Sequence, residues 1–142
     1  MKKYRLKLDV LDLLVDDLLA QMSEGVVILQ GDLAAGKTTL VKKVAQKLGI
    51  TEDVTSPTFS LQHCYGERLF HYDMYNHGLD HFLSLGMLEE LEKEGLHFIE
   101  WGDDALADIL ESAGIETLVV EIEKISDDAR EYTLKKKREE NA

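Results

Sequence analysis

Apolar positions recur along this chain with two periods, and the points where one period replaces the other mark strands and helices. Tyr4, Leu6, Leu8 and Val10 alternate with Arg5, Lys7 and Asp9, the two-residue period of a half-buried strand. Leu11, Leu14, Val15, Leu18, Leu19 and Met22 then fall at helical spacing, with Asp9 placed to cap the helix and Glu24-Gly25 to break it. Val26 to Gln30 is a short apolar run, which predicts a buried strand. Leu40, Val41, Val44, Ala45 and Leu48 form the stripe of a second helix, closed by Gly49.

The middle of the chain is less regular. Ser56-Pro57 punctuates a loop, and Phe59 to Tyr65, a Gly66-Glu67 turn and Arg68 to Tyr72 predict a β-hairpin. Gly78 to Glu94 predicts one or two short helices broken near Gly86, and Leu96 to Ile99 a second short apolar strand. Asp103 or Asp104 caps a helix with Ala105, Leu106, Ile109 and Leu110 on one face, ended by Gly114. Leu118, Val120 and Ile122 alternate as a strand, and Tyr132 and Leu134 suggest a last edge strand. The sequence holds no repeat, low-complexity tract or linker. The expectation is one three-layer α/β domain over residues 1–142, with a mainly parallel sheet plus an antiparallel hairpin and edge strands.

Composition narrows the function. No apolar run approaches the ~20 residues of a membrane helix. The first ten residues are basic but lack the apolar stretch and small-residue site of a signal peptide. Cys64 is the one cysteine, so neither an internal disulfide nor a cysteine-based zinc cluster is available. These features predict a cytoplasmic protein with no membrane partner. The net charge of −12 repels nucleic-acid phosphates and argues against autonomous binding of DNA or RNA. The excess acid reads as a solubilising surface, or as a face that docks a basic partner. Lys135, Lys136, Lys137 and Arg138 are followed at once by Glu139 and Glu140 and read as a solvated strand end or tail. The five histidines show no ligand spacing, and His71 and His97 fall within strands, where packing is the expected role.

Gly31-Asp32-Leu33-Ala34-Ala35-Gly36-Lys37-Thr38 fits G-x-x-x-x-G-K-[ST] at every fixed position. Its context also fits, because an apolar strand feeds the loop and an amphipathic helix leaves it. Successive backbone N–H groups must point at phosphate oxygens, and a side chain at Gly36 would obstruct that approach. The helix N-terminus adds partial positive charge beneath the phosphates. Lys37 would bring a full charge to the β- and γ-phosphates, the Thr38 hydroxyl would ligate Mg²⁺, and Thr39 is placed near the α-phosphate. The predicted ligand is therefore ATP or ADP with Mg²⁺.

Such a site also needs carboxylates. Asp73 follows Leu69 to Tyr72, and Glu100 follows Leu96 to Ile99, each an acid directly after an apolar strand. In open α/β sheets ligands bind outside the carboxyl ends of the strands, where a cation or an attacking water would lie.

Four blocks then occur in order: Gly31 to Thr39, Ser56-Pro57-Thr58-Phe59, His71-Tyr72-Asp73-Met74-Tyr75 and Ile99-Glu100-Trp101. In their order and spacing they resemble the TsaE (YjeE) family over about residues 24–104, with Arg130 as a further match in the tail. The resemblance implies a bacterial P-loop ATPase of tRNA threonylcarbamoyladenosine synthesis that works with two partner proteins, TsaD and TsaB, and meets tRNA only through that complex. It further implies that Thr38 and Glu100 hold Mg²⁺ and that Asp73 takes part in hydrolysis together with Lys37. Ser56-Pro57-Thr58 would form a switch-like loop, and Trp101 would sit beside the site. Three positions depart from the family pattern. Ala34 replaces a usual glycine, Asn76 a usual arginine, and Gly102 a frequent proline.

Two other classes compete with a weak ATPase. A small-molecule kinase would crowd arginines around the transferred group, and the chain has only Arg5, Arg68, Arg130 and Arg138, none in a candidate lid. A nucleotide-dependent binding switch with little turnover would share the loop. The absence of Asn-Lys-x-Asp argues for adenine or for no strong base preference.

Overall fold

A computed structural model of the chain describes residues 2–7, 10–22, 24–31, 37–50, 62–65, 68–74, 79–84, 86–101 and 104–136. Among them run β1 (Lys2–Lys7), α1 (Asp12–Gln21), β2 (Gly25–Gln30), α2 (Lys37–Lys47), β3 (Gln62–Tyr65) and β4 (Leu69–Asp73). There follow α3 (Leu79–Ser84), α4 (Met87–Glu90), β5 (Leu96–Glu100), α5 (Asp104–Ser112), β6 (Thr117–Lys124) and β7 (Ala129–Lys136). The strands form one mixed sheet in the order β1-β7-β6-β2-β5-β4-β3. Its centre, β6-β2-β5-β4, is parallel, and its margins are antiparallel.

Two apolar layers cover the sheet. Leu14, Val15 and Leu18 of α1 and Leu40, Val41 and Val44 of α2 pack on Val27, Leu29, Phe98, Leu118 and Val120. On the opposite face Met87 of α4, Leu91 just past it, and Leu106, Ala107 and Leu110 of α5 pack on Val26, Ile28, Tyr72, Ile99 and Val119. The result is the three-layer α/β arrangement that alternating strands and helices predict. No helix among the described residues is long and apolar enough to cross a membrane.

The differences from expectation have local causes. β7 is not an edge, because it pairs with both β1 and β6; the outer strands are β1 and β3. Val119 is buried along with Leu118 and Val120, as a strand covered on both faces requires. Val10 is exposed in a turn beyond β1, and Leu11 holds the N-cap position of α1 without a side-chain hydrogen bond, while Asp9 lies outside the described residues. Ala107, not Ala105, completes the buried face of α5. Leu48 lies past the end of α2 and is exposed.

Glycines close α2 and α5 in the same way. Gly49 has φ +76° and its N–H donates to Gln46 O, while Ile50 N–H donates to Ala45 O. Gly114, φ +80°, and Ile115 repeat the pattern on Glu111 and Leu110. Each pair of bonds satisfies the orphan carbonyls of a helix end. Gly95 answers to space. A Cβ there would sit 2.3 Å from Arg68 O, at the point where β4 and β5 begin side by side.

A buried polar cluster ties β3, β4, β5 and α4 together. Gln62 Nε2 donates to the Tyr72 hydroxyl (3.2 Å) and to Glu90 Oε1 (3.1 Å), and Lys93 Nζ donates to Glu90 (2.9 Å). His97 Nε2 meets the Lys93 carbonyl and His97 Nδ1 meets the Tyr72 hydroxyl, each at 2.8 Å. A carbonyl only accepts, so Nε2 carries the hydrogen and Nδ1 accepts from Tyr72. Burial lowers the His97 pKa, which favours this neutral tautomer. The ring also stacks on Phe70 at 4.6 Å between centroids. His97 is thus the packed residue that its place in a strand predicts.

Candidate functional site

The parallel register brings the carboxyl ends of three strands level. Leu29 of β2 is opposite Glu100 of β5, and Glu100 is opposite Asp73 of β4. α2 begins at Lys37, six residues after Gly31 leaves β2. Helix N-terminus and strand ends therefore meet at one edge of the sheet, the edge where open α/β folds take ligands.

Lys37 is the cation of this corner. It is 3% exposed, and its ammonium donates to the Gly31 carbonyl at 2.6 Å. The same Nζ lies 3.7 Å from the centroid of the Trp101 ring, a cation–π distance. Trp101 follows β5 directly and packs by its body against Leu106, Ile99 and their neighbours. Its φ of +70° is the one left-handed value among the described non-glycine residues. That conformation costs a bulky residue about 1–3 kcal/mol and gathers at functional sites. The Trp101 N–H donates to Leu29 O at 3.2 Å, so the turn is pinned to β2. Trp101 is both a packing residue and a neighbour of the lysine.

The acids lie on the α2 side of the sheet. Leu69, His71 and Asp73 alternate onto one face of β4, and Leu96, Phe98 and Glu100 onto the same face of β5. Asp73 is exposed, whereas Glu100 is 6% exposed. His71, also buried, hydrogen-bonds Glu100 through Nε2 and Oε2. Sequence reasoning assigned His71 to packing and missed this contact. The available signal was its place two residues before Asp73, because residues two apart on a strand share a face.

Other expected site residues are only partly visible. Asp32, Leu33, Ala34, Ala35 and Gly36 lie outside the described residues, as do Ser56, Pro57, Thr58, Asn76 and Gly102. Thr38 and Thr39 stand in the first turn of α2, with Thr39 exposed. Arg130 is buried near the start of β7, where its guanidinium donates to the carbonyls of Ser126 (2.8 Å) and Ala129 (3.0 Å). Among the described residues no group of three or more His, Cys, Asp or Glu side chains could hold a metal by itself.

A family model described as threonylcarbamoyl adenosine biosynthesis protein TsaE matches residues 8–132. The chain belongs to the TsaE family. A tRNA threonylcarbamoyladenosine biosynthesis protein TsaE of Treponema pallidum is 40% identical over 117 residues, covering 80% of this chain and 84% of the relative. Its namesake in Bacillus subtilis is 39% identical over 111 residues, covering 76% and 67%. The crystal structure of Bacillus subtilis YdiB superposes with a TM-score of 0.64 at 29% identity, over 94% of this chain and 83% of that one. The fold is accordingly that of a P-loop protein.

Chemically, the corner suits a polyanion with a divalent cation. A buried ammonium and a helix N-terminus attract phosphate oxygens. Mg²⁺ keeps several waters and takes one or two carboxylates plus substrate phosphates, so it needs no all-protein cage. Asp73 and Glu100, adjacent on neighbouring strands, are donors of the right kind. The residues present fit both groups.

Proposed function

We propose that this chain binds Mg²⁺-ATP at Gly31 to Thr39 and hydrolyses it slowly, as the ATPase of a tRNA threonylcarbamoyladenosine-modifying complex with TsaD and TsaB. The observation that carries the reading is buried Lys37 at the head of α2, against the Trp101 ring that directly follows Glu100, with Asp73 opposite Glu100 in the sheet. Family membership supports the pathway.

Each residue then has a task. The backbone N–H groups of Gly31, Asp32, Leu33, Ala34, Ala35 and Gly36 wrap phosphate oxygens. Lys37 exchanges its Gly31 and Trp101 contacts for the β- and γ-phosphates, and Thr39 approaches the α-phosphate. Thr38 and Glu100 would hold Mg²⁺, which would supply positive charge against the phosphates. Asp73, exposed at its strand end, orients the attacking water and accepts its proton. The products are ADP and phosphate.

Turnover alone should be slow. Arg130 is committed to backbone carbonyls, and an arginine supplied in trans can be worth about 10³–10⁵ in rate for P-loop enzymes. With a net charge of −12, the chain would meet tRNA through its partners and not by its own phosphate contacts, as one cytoplasmic domain.

The test is calorimetry and steady-state hydrolysis. Lys37→Ala should abolish most ATP affinity, and unchanged binding would remove the site assignment. Asp73→Asn should bind ATP yet lose hydrolysis in the presence of TsaD and TsaB; wild-type turnover would refute its role. Rapid hydrolysis without partners, with phosphate passed to a metabolite, would favour a small-molecule kinase.

A further inference from the structure

We propose that His71 is a positioning residue for the cation site, holding the Glu100 carboxylate so that it can serve a divalent ion. This rests on the reading of Glu100 as a Mg²⁺ ligand.

The arrangement begins with the sheet. Asp73 and Glu100 are register partners on adjacent parallel strands, and both face the α2 side. Like charges so placed repel. Glu100 is also more than nine-tenths buried, and a buried carboxylate without compensation is costly. His71 lies one pleat back on β4, diagonal to Glu100, within reach for a long side chain. Its Nε2 meets Glu100 Oε2. An ionised carboxylate only accepts, so the imidazole supplies the hydrogen. A protonated Nε2 cannot also bind a metal, so through this nitrogen His71 orients a ligand.

The ring has support of its own. His71 is 5% exposed and stacks on Tyr65 of β3, with centroids 6.5 Å apart and planes 29° apart. The β3–β4 pairing thus fixes the imidazole, and the imidazole fixes one oxygen of Glu100. A carboxylate has about four lone-pair sites, so one hydrogen bond leaves the group able to coordinate a cation. Hydrogen bonds to metal-ligating groups commonly contribute 10–100-fold in metal affinity, by removing the need to order the ligand on binding.

The experiment titrates Mg²⁺ into the full chain with saturating ADP, and separately measures ADP binding in EDTA. His71→Leu should weaken Mg²⁺ about 10–100-fold while ADP binding in EDTA stays near wild type. His71→Gln, which returns an N–H near the Nε2 position, should recover most of the loss, and His71→Asn, whose amide falls short, should not. Equal losses with and without Mg²⁺, or glutamine no better than asparagine, would overturn the proposal. The Gln–Asn contrast decides the matter even if His71→Leu does not fold. Glu100→Gln separates the two levels. If it abolishes the Mg²⁺ effect while His71→Leu and His71→Asn do not, only the positioning role falls. If Glu100→Gln leaves Mg²⁺ affinity intact, the metal reading falls and the positioning role with it.

Discussion

Two buried histidines sit on neighbouring central strands and have opposite surroundings. His97 faces the α4–α5 side, donates to the Lys93 carbonyl, accepts from Tyr72 and lies flat on Phe70. His71 faces the α2 side at the carboxyl edge and meets a carboxylate. Partners, not burial, separate them. An imidazole between a hydroxyl and a backbone carbonyl has both nitrogens used in holding strands together. One that meets a carboxylate at the proposed cation site is placed to orient another group. The same residue type in the same sheet serves architecture on one face and the proposed chemistry on the other.

Substitutions can break this contrast. The largest expected effect is from His97→Leu, which leaves the Tyr72 hydroxyl without its acceptor and the Lys93 carbonyl without its donor. Denaturant titration should show a loss of about 2–4 kcal/mol, given roughly 1–3 kcal/mol for each buried group left unpaired. ADP affinity of the folded protein should not change; a matching loss of affinity would mean that the two faces are coupled. Tyr72→Phe should follow at about 1–2 kcal/mol, because only His97 Nδ1 and one Gln62 contact lose their partner.

Acid should act on the same cluster. Burial lowers the His97 pKa in the fold, so the unfolded chain takes up this proton more readily. The stability due to neutral His97 is complete above the ordinary histidine pKa of about 6.5 and is lost as pH falls below it, at up to about 1.4 kcal/mol per unit. Chemical denaturation between pH 7.5 and 5.5 should show this slope, and His97→Leu should flatten it. The smallest expected effect is on the other face. His71→Gln should change global stability by under about 1 kcal/mol, within the range of one exchanged hydrogen bond. A large loss would make His71 a second structural pin and erase the contrast.

Most elements were legible because their apolar residues keep a strict period. The α1 stripe from Leu11 to Met22 and the run Val26 to Leu29 are buried as expected, with Leu19 at the margin. Sheet order was less accessible. Tyr132 and Leu134 alternate, and a strand with that pattern can lie at an edge or between two neighbours, since hydrogen bonding leaves no trace in side-chain period. The continuous run Leu118-Val119-Val120 did carry the signal of a central strand. Gly31, Lys37, Asp73 and Glu100 could be named from sequence because each follows a strand or opens a helix. The face of His71 could be read too, from its two-residue spacing to Asp73, but its contact with Glu100 could not, because that depends on the register of β4 against β5. No spacing within either strand specifies that register.

The placement of β7 also has a bearing on the order of assembly. β1 precedes every other described strand along the chain, yet its described sheet partner is β7, which follows them all and also seals β6. The parallel centre and its two helical layers can be laid down as the chain emerges, while β1 waits with its backbone groups paired only to water. Such long-range pairing is slow and leaves strand edges exposed meanwhile. Arg5 and Lys7 on the outward face of β1 are charges of the kind that discourage an unpaired strand from joining a stranger. Among the described strands, β1 can dock only after the one farthest from it along the chain has been made.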